Sequence, residues 1–210
     1  MGEAEAHLMR VCPAMRTHVP GHTPYPGTFD RFRDPYKALI RAVVYQQLSG
    51  KAAGTIYARL MALYGGRRHP TPAQILETPD EQLRAAGLSR QKVAAIRDIA
   101  HKRLDRVIPH QRSIRHLDDE QIIERLTAVR GVGRWSAEMY LIFSLGRPDV
   151  LPLDDLGVRK GAGKMLGREL TPKALGEYGE RWAPWRSAAA WHCWRATETV
   201  LPVPTPIPGD

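Results

Sequence analysis

Apolar positions recur at helical spacing along most of the chain. Leu39, Ile40, Val43 and Val44, for example, lie three or four residues apart, which is the period of a helix with one buried face. No stretch alternates apolar and polar residues as a half-buried strand would. Short turns with glycine, proline or N-capping residues separate the apolar segments. The pattern predicts an all-α protein of about ten helices joined by short turns.

Capping signals set the boundaries of these helices. Asp34-Pro35 indicates an N-cap followed by a first-turn proline, and the helix capped by Ser49 should stop at Gly65-Gly66. Further helices are predicted to start near Thr71-Pro72, Thr78-Pro79, Ser89, Asp118, Arg134, Asp155, Thr171-Pro172 and Pro184. We expect residues 1–33, which are rich in proline, to be irregular and to pack on the core. Residues 34–200 then form the main domain, and residues 201–210 form a proline-rich tail.

The charge balance points to a polyanionic partner. The sequence contains 31 Lys and Arg and 22 Asp and Glu, which gives a formal net charge of +9. Nucleic acid is favoured over an anionic membrane, because the sequence has no basic amphipathic anchor and no apolar run near the roughly 20 residues of a membrane span. The N-terminus does not resemble a signal peptide, and we expect a cytoplasmic monomer that does not act at a membrane.

The cysteine count limits the cofactor classes. Cys12 and Cys193 are the only cysteines of the sequence, so a disulfide framework, a four-cysteine iron–sulfur cluster and a zinc finger are excluded. The eight histidines are scattered without the spacing of a ligand pair. We therefore expect no metal bound by side chains and no required cofactor.

The stretch TAVRGVGRWSAEMY, residues 127–140, is typical of a tight helical hairpin. Glycine at positions 131 and 133 permits positive φ angles and close approach of another backbone. Free N–H groups in the first turn of the following helix favour an anion such as a DNA phosphate. The alternative is a glycine-rich turn that serves packing only.

A family resemblance extends this interpretation. LTAVRGVGRWSAEMYLIFSLGRPDVLPLDDLGVRKG, residues 126–161, resembles the helix–hairpin–helix and catalytic-aspartate segment of base-excision DNA glycosylases of the HhH-GPD superfamily, in their AlkA-type 3-methyladenine branch. AVVYQQLSGKAAGTI (42–56) and RWAPWRSAAAWHCWR (181–195) resemble the first-lobe helix turn and the C-terminal helix of that branch. The resemblance implies a two-lobed helical fold with the hairpin motif at about 118–145 and the active site in the cleft between the lobes. It also implies that the N-terminal β-rich domain of longer members is lacking.

The resemblance also implies roles for individual residues, with Asp155 as the catalytic carboxylate. The implied sets are a base pocket of Trp135, Trp194, Met139 and Tyr45, an intercalating wedge of Gln47 with Leu48 beside it, a phosphate-binding hairpin of Gly131, Val132, Gly133 and Arg134, and a monovalent cation (Na⁺ or K⁺) on the main-chain carbonyls of Thr127, Val129 and Val132. Relatives that also cut the backbone carry a lysine where this chain has Trp135, so no AP lyase step is expected. Met139 replaces a pocket tyrosine of some relatives.

Two interpretations of Asp155 follow from its position before a predicted helix. It is either a helix N-cap that accepts bonds from amides near Val158, or the group that stabilises an oxocarbenium-like transition state and orients water. We favour catalysis for Asp155 and assign capping to Asp154. A purine alkylated at N3 or N7 is cationic and leaves readily, so one carboxylate suffices, and indole rings at Trp135 and Trp194 would attract it.

The predicted function is that of a monofunctional glycosylase of the 3-methyladenine DNA glycosylase II type. It flips alkylated purines such as 3-methyladenine and 7-methylguanine out of double-stranded DNA and hydrolyses the N-glycosidic bond, which leaves an abasic site for base excision repair. The alternatives are a non-catalytic helix–hairpin–helix DNA-binding module and a glycosylase for oxidised or mismatched bases. The basic helix from Arg90 to Arg103 is either a DNA-contacting face or merely solvated.

Overall fold

The computed structural model describes residues 2–27, 34–66 and 68–197. These residues form thirteen α-helices and no β-strand, so the all-α prediction is confirmed with more helices than expected. The chain divides into two compact units, a central unit of residues 31–140 and a terminal unit that combines residues 1–30 with 141–210. Within the described part of the chain, no helix is both long enough and apolar enough to cross a membrane.

The helices are short and follow one another closely. They are α1 Glu3–Val11, α2 Pro13–His18, α3 Pro35–Tyr45, α4 Gly50–Ala62, α5 Pro72–Glu77, α6 Asp80–Ala85, α7 Arg90–Leu104, α8 Gln111–Ile114, α9 Asp119–Thr127, α10 Arg134–Met139, α11 Leu156–Leu166, α12 Pro172–Gly179 and α13 Arg186–Ala196. A π-helical turn, Tyr140–Leu145, follows α10, and 3₁₀ turns lie at Val19–Gly21 and Glu180–Trp182.

Most predicted helix starts are confirmed by their caps. The side chains of Asp34, Ser49, Thr71, Ser89, Asp118 and Thr171 each accept a first-turn N–H. The predicted helix at Thr78-Pro79 starts at Asp80, and Gly87 follows its end with a positive φ of 104°. The helix predicted to start near Arg134 is α-helical only as far as Met139, and a π-helical turn follows it.

The prediction that residues 1–33 are irregular is wrong for their first part. Residues 3–11 and 13–18 are helical. Pro13 does not prevent the second helix, because it occupies the first turn of α2, where a missing N–H costs nothing. Leu8 and Met15 are fully buried, and α1 and α2 pack on α13 and α11 of the same terminal unit. The N-terminal segment is thus part of this unit's core. Residues 28–33 and the proline-rich tail 201–210 lie outside the described residues.

In the central unit, α7 is the helix on which α3 and α5 pack. Its apolar face is buried, with Ile96 and Ile99 fully covered. Its basic side chains form internal links: Arg97 donates to the carbonyls of Leu76 and Thr78 and pairs with Asp80. These bonds satisfy carbonyl groups at helix ends, which water or caps would otherwise have to satisfy.

Other cations of α7 are engaged in the same way. Lys102 pairs with Asp98, and Arg103 pairs with the cap residue Asp34 and donates to the carbonyl of Pro109. Arg97 and Arg103 are therefore not merely solvated, because they connect α7 to other elements of the central unit, whereas Lys102 pairs within α7 itself. Contact of this helix with DNA stays a prediction.

In the terminal unit, α11 and α13 touch through their backbones. A Cβ added at Gly161 would lie 1.8 Å from the carbonyl oxygen of Cys193, so only glycine fits there. Trp182 and Trp191 are buried in the same unit. Trp191 also donates its indole N–H to the carbonyl of Thr23, which ties the end of the N-terminal segment to α13.

Candidate functional site

Asp155 lies at the N-terminus of α11, in the terminal unit. Its Oδ1 accepts the main-chain N–H of Val158 at 2.8 Å and the indole N–H of Trp194 at 2.9 Å. The carboxylate is half-buried, and the backbone at this residue is extended, as an N-cap requires. Two donors on one oxygen hold the carboxylate in a single orientation.

The assignment of capping to Asp154 is wrong. The cap of α11 is Asp155, whereas Asp154 is exposed. The reason lies in the spacing, since Asp155 precedes the helix by one position and its side chain reaches the amide three residues on. The capping and catalytic interpretations of Asp155 are therefore compatible, because one side chain can do both.

Trp194 is placed on α13 with only 2% of its surface exposed. Its indole ring lies against Gly157, where a Cβ would come within 2.8 Å of Cδ1, and 5.8 Å from the ring of Phe143. In this unit the residue behaves as a buried support for Asp155. Its predicted part in stacking on a base is not visible in these contacts.

The loop that leads to Asp155 is docked on the start of α13. Arg186 forms a two-pronged ion pair with Asp149, and the hydroxyl of Ser187 donates to the carbonyl of Arg147 and accepts the N–H of Val150. Bidentate pairing of this kind fixes geometry as well as charge. The carboxylate thus stands at the end of a segment that is held to the helix that carries Trp194.

The hairpin between α9 and α10 lies in the central unit, and its two glycines differ. Gly131 has φ +77°, a conformation that costs an L residue about 1 kcal/mol or more. Gly133 has φ −93° and caps α10, and a Cβ there would meet nothing within 4 Å. The fold therefore requires glycine at 131 but leaves an open surface at 133.

The hairpin is anchored to α7 by Asp98, which the sequence analysis did not single out. Asp98 accepts the main-chain N–H of Arg130 at 2.7 Å and pairs with Lys102. Burial acts to raise the pKa of Asp98, but these hydrogen bonds outweigh it and lower the pKa. An acidic residue on a strongly basic helix was the available signal.

Arg134, which was predicted to help bind phosphate, is paired within the central unit. Its guanidinium donates to Glu120 on α9 and to the buried Glu138 one turn further along α10. The hydrogen bond from Arg134 lowers the pKa of Glu120. In this structure the arginine thus fastens the two helices of the hairpin to each other.

The turn between α3 and α4, residues 46–49, carries the predicted wedge and is called the wedge turn below. Gln47 has a positive φ of 57°, and its side chain is exposed. Leu48 is 40% exposed. The predicted wedge residues are therefore at the surface, where an intercalating group must be.

The predicted pocket residues of the central unit differ in exposure. Trp135 is 44% exposed on the first turn of α10, whereas Met139 is buried and Tyr45 is half-buried. Arg41, which sequence reasoning missed, places its guanidinium 4.3 Å from the ring centroid of Tyr45. An arginine inside the apolar run of α3, four residues before a tyrosine, was the signal for this pair.

The carbonyls predicted to hold a monovalent cation belong to the end of α9 and the turn after it. The carbonyl of Val129 accepts the N–H of Val132 at 3.1 Å, and a carbonyl oxygen has a second lone pair for another partner. Main-chain oxygens are ligands of the type that hard cations take. The residues present therefore fit such an ion.

The family of the chain follows from comparison with known proteins. The family model described as HhH-GPD superfamily base excision DNA repair protein matches residues 40–185. The chain belongs to the HhH-GPD superfamily. In this HhH-GPD protein the matched region covers both the hairpin and Asp155, and the resemblance inferred from the sequence motifs is confirmed.

Named relatives of this HhH-GPD protein share one activity in their names. DNA-3-methyladenine glycosylase 1 of Schizosaccharomyces pombe is 40% identical over 168 residues, which cover 79% of this chain and 74% of that protein. DNA-3-methyladenine glycosylase 2 of Escherichia coli is 30% identical over 177 residues, which cover 80% of this chain and 58% of that protein.

The fold has a solved counterpart. The structure of the S. pombe 3-methyladenine DNA glycosylase Mag1 in complex with abasic DNA superposes with a TM-score of 0.81 at 36% identity. The match covers 98% of this chain and all of that one. The helical HhH-GPD glycosylase fold predicted from the sequence is therefore confirmed.

Proposed function

We propose that this HhH-GPD protein is a monofunctional DNA glycosylase that flips alkylated purines out of duplex DNA and hydrolyses their N-glycosidic bond. The observation that carries the proposal is Asp155, which two N–H donors orient at the start of α11 within the family's matched region. Relatives named DNA-3-methyladenine glycosylase support the substrate class. The predicted monomeric state and cytoplasmic location are part of this proposal.

The chemistry assigned to Asp155 is electrostatic. Loss of the base develops positive charge on the deoxyribose, and a carboxylate with a fixed orientation stabilises that charge without having to reorganise. The same group can accept a proton from the attacking water. The N–H groups of Val158 and Trp194 both donate to Oδ1 and hold the carboxylate in place. Its orientation is therefore set before the base departs.

The substrate preference rests on leaving-group charge. A purine alkylated at N3 or N7 is a cation and departs as a neutral base, so it requires less acid assistance than a normal base. The exposed indole of Trp135 offers a face that attracts a cation, and a damaged pair also costs less to open than a normal pair.

DNA is the proposed partner, and the hairpin and wedge turn are its proposed contacts. The open surface at Gly133 leaves room for a phosphate against the backbone, and a cation on the carbonyls of Thr127, Val129 and Val132 would add positive charge there. Gln47 and Leu48 would fill the gap that an extruded base leaves. The formal charge of +9 favours association with DNA in general.

The absence of a lyase step is part of the proposal. A Schiff base requires an amine at the sugar carbon, and Trp135 stands where lyase-type relatives carry the lysine. The product would then be an intact strand with an abasic site.

The decisive experiment is incubation of the purified protein with DNA methylated by dimethyl sulfate, followed by chromatography of the released bases. We expect free 3-methyladenine and 7-methylguanine, and an intact strand until heat or alkali is applied. Release of bases only from an oxidised DNA sample assayed in parallel, and none from the methylated DNA, would overturn the substrate class. A protein–DNA adduct trapped by borohydride would overturn the monofunctional assignment. A protein that binds DNA but releases no base would be a binding module.

The two hairpin glycines give a matched pair of variants. Gly131→Ala should cost about 1 kcal/mol of stability, because alanine resists the positive φ. Gly133→Val should fold, since its Cβ meets nothing in the chain, yet it should bind all duplexes roughly tenfold more weakly. Thermal unfolding and fluorescence anisotropy with damaged and undamaged duplexes measure the two effects. Full affinity in a folded Gly133→Val protein would make the hairpin structural only.

A further inference from the structure

The wedge turn is held from two sides by residues that lie outside the predicted wedge. Residue 46 leaves the α3 helix with φ −53° and ψ 133°, and Gln47 then adopts a left-handed conformation. A non-glycine residue in that conformation carries a cost, and it persists where its surroundings determine the backbone. The turn therefore needs contacts that fix its ends.

Lys92, on α7, supplies the first contact. Its ammonium donates to the carbonyl of Val44 at 2.6 Å and to the carbonyl of Gln46 at 2.9 Å. These carbonyls lie at the C-terminal end of α3, where the helix leaves acceptors unsatisfied and its dipole favours a cation. Lys92 thus closes the end of α3 just before the wedge begins, and burial of the side chain lowers its pKa.

The side chain of Gln46 supplies the second contact. Its Nε2 donates to the carbonyl of Gly131 at 3.0 Å, across 85 residues of sequence. Gly131 is the hairpin residue with positive φ, and its neighbour Arg130 is anchored through Asp98 to α7. The wedge turn and the hairpin are therefore attached both to each other and to the same helix.

We propose that Gln46 and Lys92 are positioning residues that fix the wedge turn to the hairpin. The phosphate-binding hairpin and the wedge then act on DNA as one rigid element. The proposal rests on the proposed function, because it takes the hairpin as the phosphate site and Gln47 with Leu48 as the wedge. Neither positioning residue needs to touch the damaged base. Each acts through the backbone that carries the wedge.

The physical reason is the force that a wedge meets in a duplex. Opening a base step costs a few kcal/mol, and the stacked bases push back on the inserted side chain. If the turn moved under this force, its rearrangement would absorb the free energy that opening the base step requires. A turn attached to the phosphate-binding hairpin transmits the load to the backbone contacts that already hold the DNA.

The test uses two nearly isosteric variants without the donors, Gln46→Met and Lys92→Met. The probe is a duplex with a tetrahydrofuran abasic site beside 2-aminopurine, whose fluorescence reports insertion at the gap and does not depend on base release. We expect both variants to give a several-fold smaller fluorescence change at saturation than the parent protein. Loss of one such hydrogen-bonded contact should also slow excision of 7-methylguanine by roughly 3- to 10-fold. Affinity for undamaged duplex should stay within twofold.

The controls separate positioning from general damage. Gln91→Ala, at an exposed position next to Lys92, should behave as the parent does in both assays. In a background that lacks both wedge side chains, Gln47→Ala with Leu48→Ala, the effect of Gln46→Met should vanish, because the residue acts through the wedge. The proposal would be overturned if Gln46→Met still lowered the fluorescence change in the protein without the wedge side chains. It would also be overturned if affinity for undamaged duplex fell as much as the fluorescence change.

Two further outcomes are assigned in advance. If Lys92→Met fails to fold, Gln46→Met decides the question alone, since its hydrogen bond lies at the surface. If the parent protein inserts beside the abasic site but excises no alkylated base, the proposed function fails, and the fluorescence comparison still supports or overturns the positioning roles.

Discussion

Asp155→Asn should reduce base release by at least 100- to 1,000-fold while leaving the fold intact. Asparagine is as good an N-cap as aspartate, and its amide oxygen can accept the N–H groups of Val158 and Trp194 in place of Oδ1. Only the negative charge is lost, and with it the stabilisation of positive charge on the sugar. Single-turnover release of 7-methylguanine measures the rate, and thermal unfolding measures the stability.

Asp154→Asn is the matched control for that result. Asp154 is adjacent and exposed but does not cap α11, so its variant should keep the rate and stability of the parent. Asp155→Ala should add a loss of about 1 kcal/mol in stability to the loss in rate, because the cap disappears as well. An Asp155→Asn protein with parental activity would restrict Asp155 to capping and favour a non-catalytic role.

Gly161→Ala should destabilise the terminal unit by about 3 kcal/mol or more, the upper range for overpacked cores. The added methyl carbon would lie 1.8 Å from the carbonyl oxygen of Cys193, and backbone cannot move aside as a flexible side chain can. For a chain of this length such a loss lowers the melting temperature by roughly 6–12 °C. Calorimetry or thermal denaturation followed by circular dichroism measures it.

Gly176→Ala provides the comparison in the same unit. Gly176 is also helical, but a Cβ there would meet only Leu153 at 3.5 Å, an ordinary contact. Alanine favours a helix over glycine by up to about 1 kcal/mol, so this variant should be as stable as the parent or more stable. If both variants had the same stability, the backbone contact between α11 and α13 would not exist as described.

Local signals made much of the fold predictable. Serine, threonine and aspartate before an apolar period give a helix start wherever their side chains can reach the third amide, and Ser49, Ser89 and Asp118 all do so. The family followed from motifs that the matched family model confirms. Gly131 was found because a tight hairpin needs a positive φ there, whereas Asp155 was found through the resemblance of residues 126–161 to the family's motif.

What the sequence could not supply depends on tertiary partners. Proline at position 13 indicated an irregular segment, yet it starts a helix that packs on α11 and α13, far along the sequence. Gln46 and Lys92 resemble ordinary surface residues until the carbonyls that they meet are known. The burial of Trp194 and its bond to Asp155 have no signature in spacing or composition.

The terminal unit is assembled from two distant parts of the chain, because α1 and α2 pack with α11 and α13. During synthesis α1 and α2 emerge well before the helices that cover Leu8 and Met15. At roughly 5–20 residues per second, the nascent N-terminus waits on the order of ten seconds or more for its partners. The central unit, a continuous segment, can fold in that interval. Translation that stops before α13 would therefore leave a folded centre with an uncovered apolar N-terminus, a species that chaperones and proteases recognise.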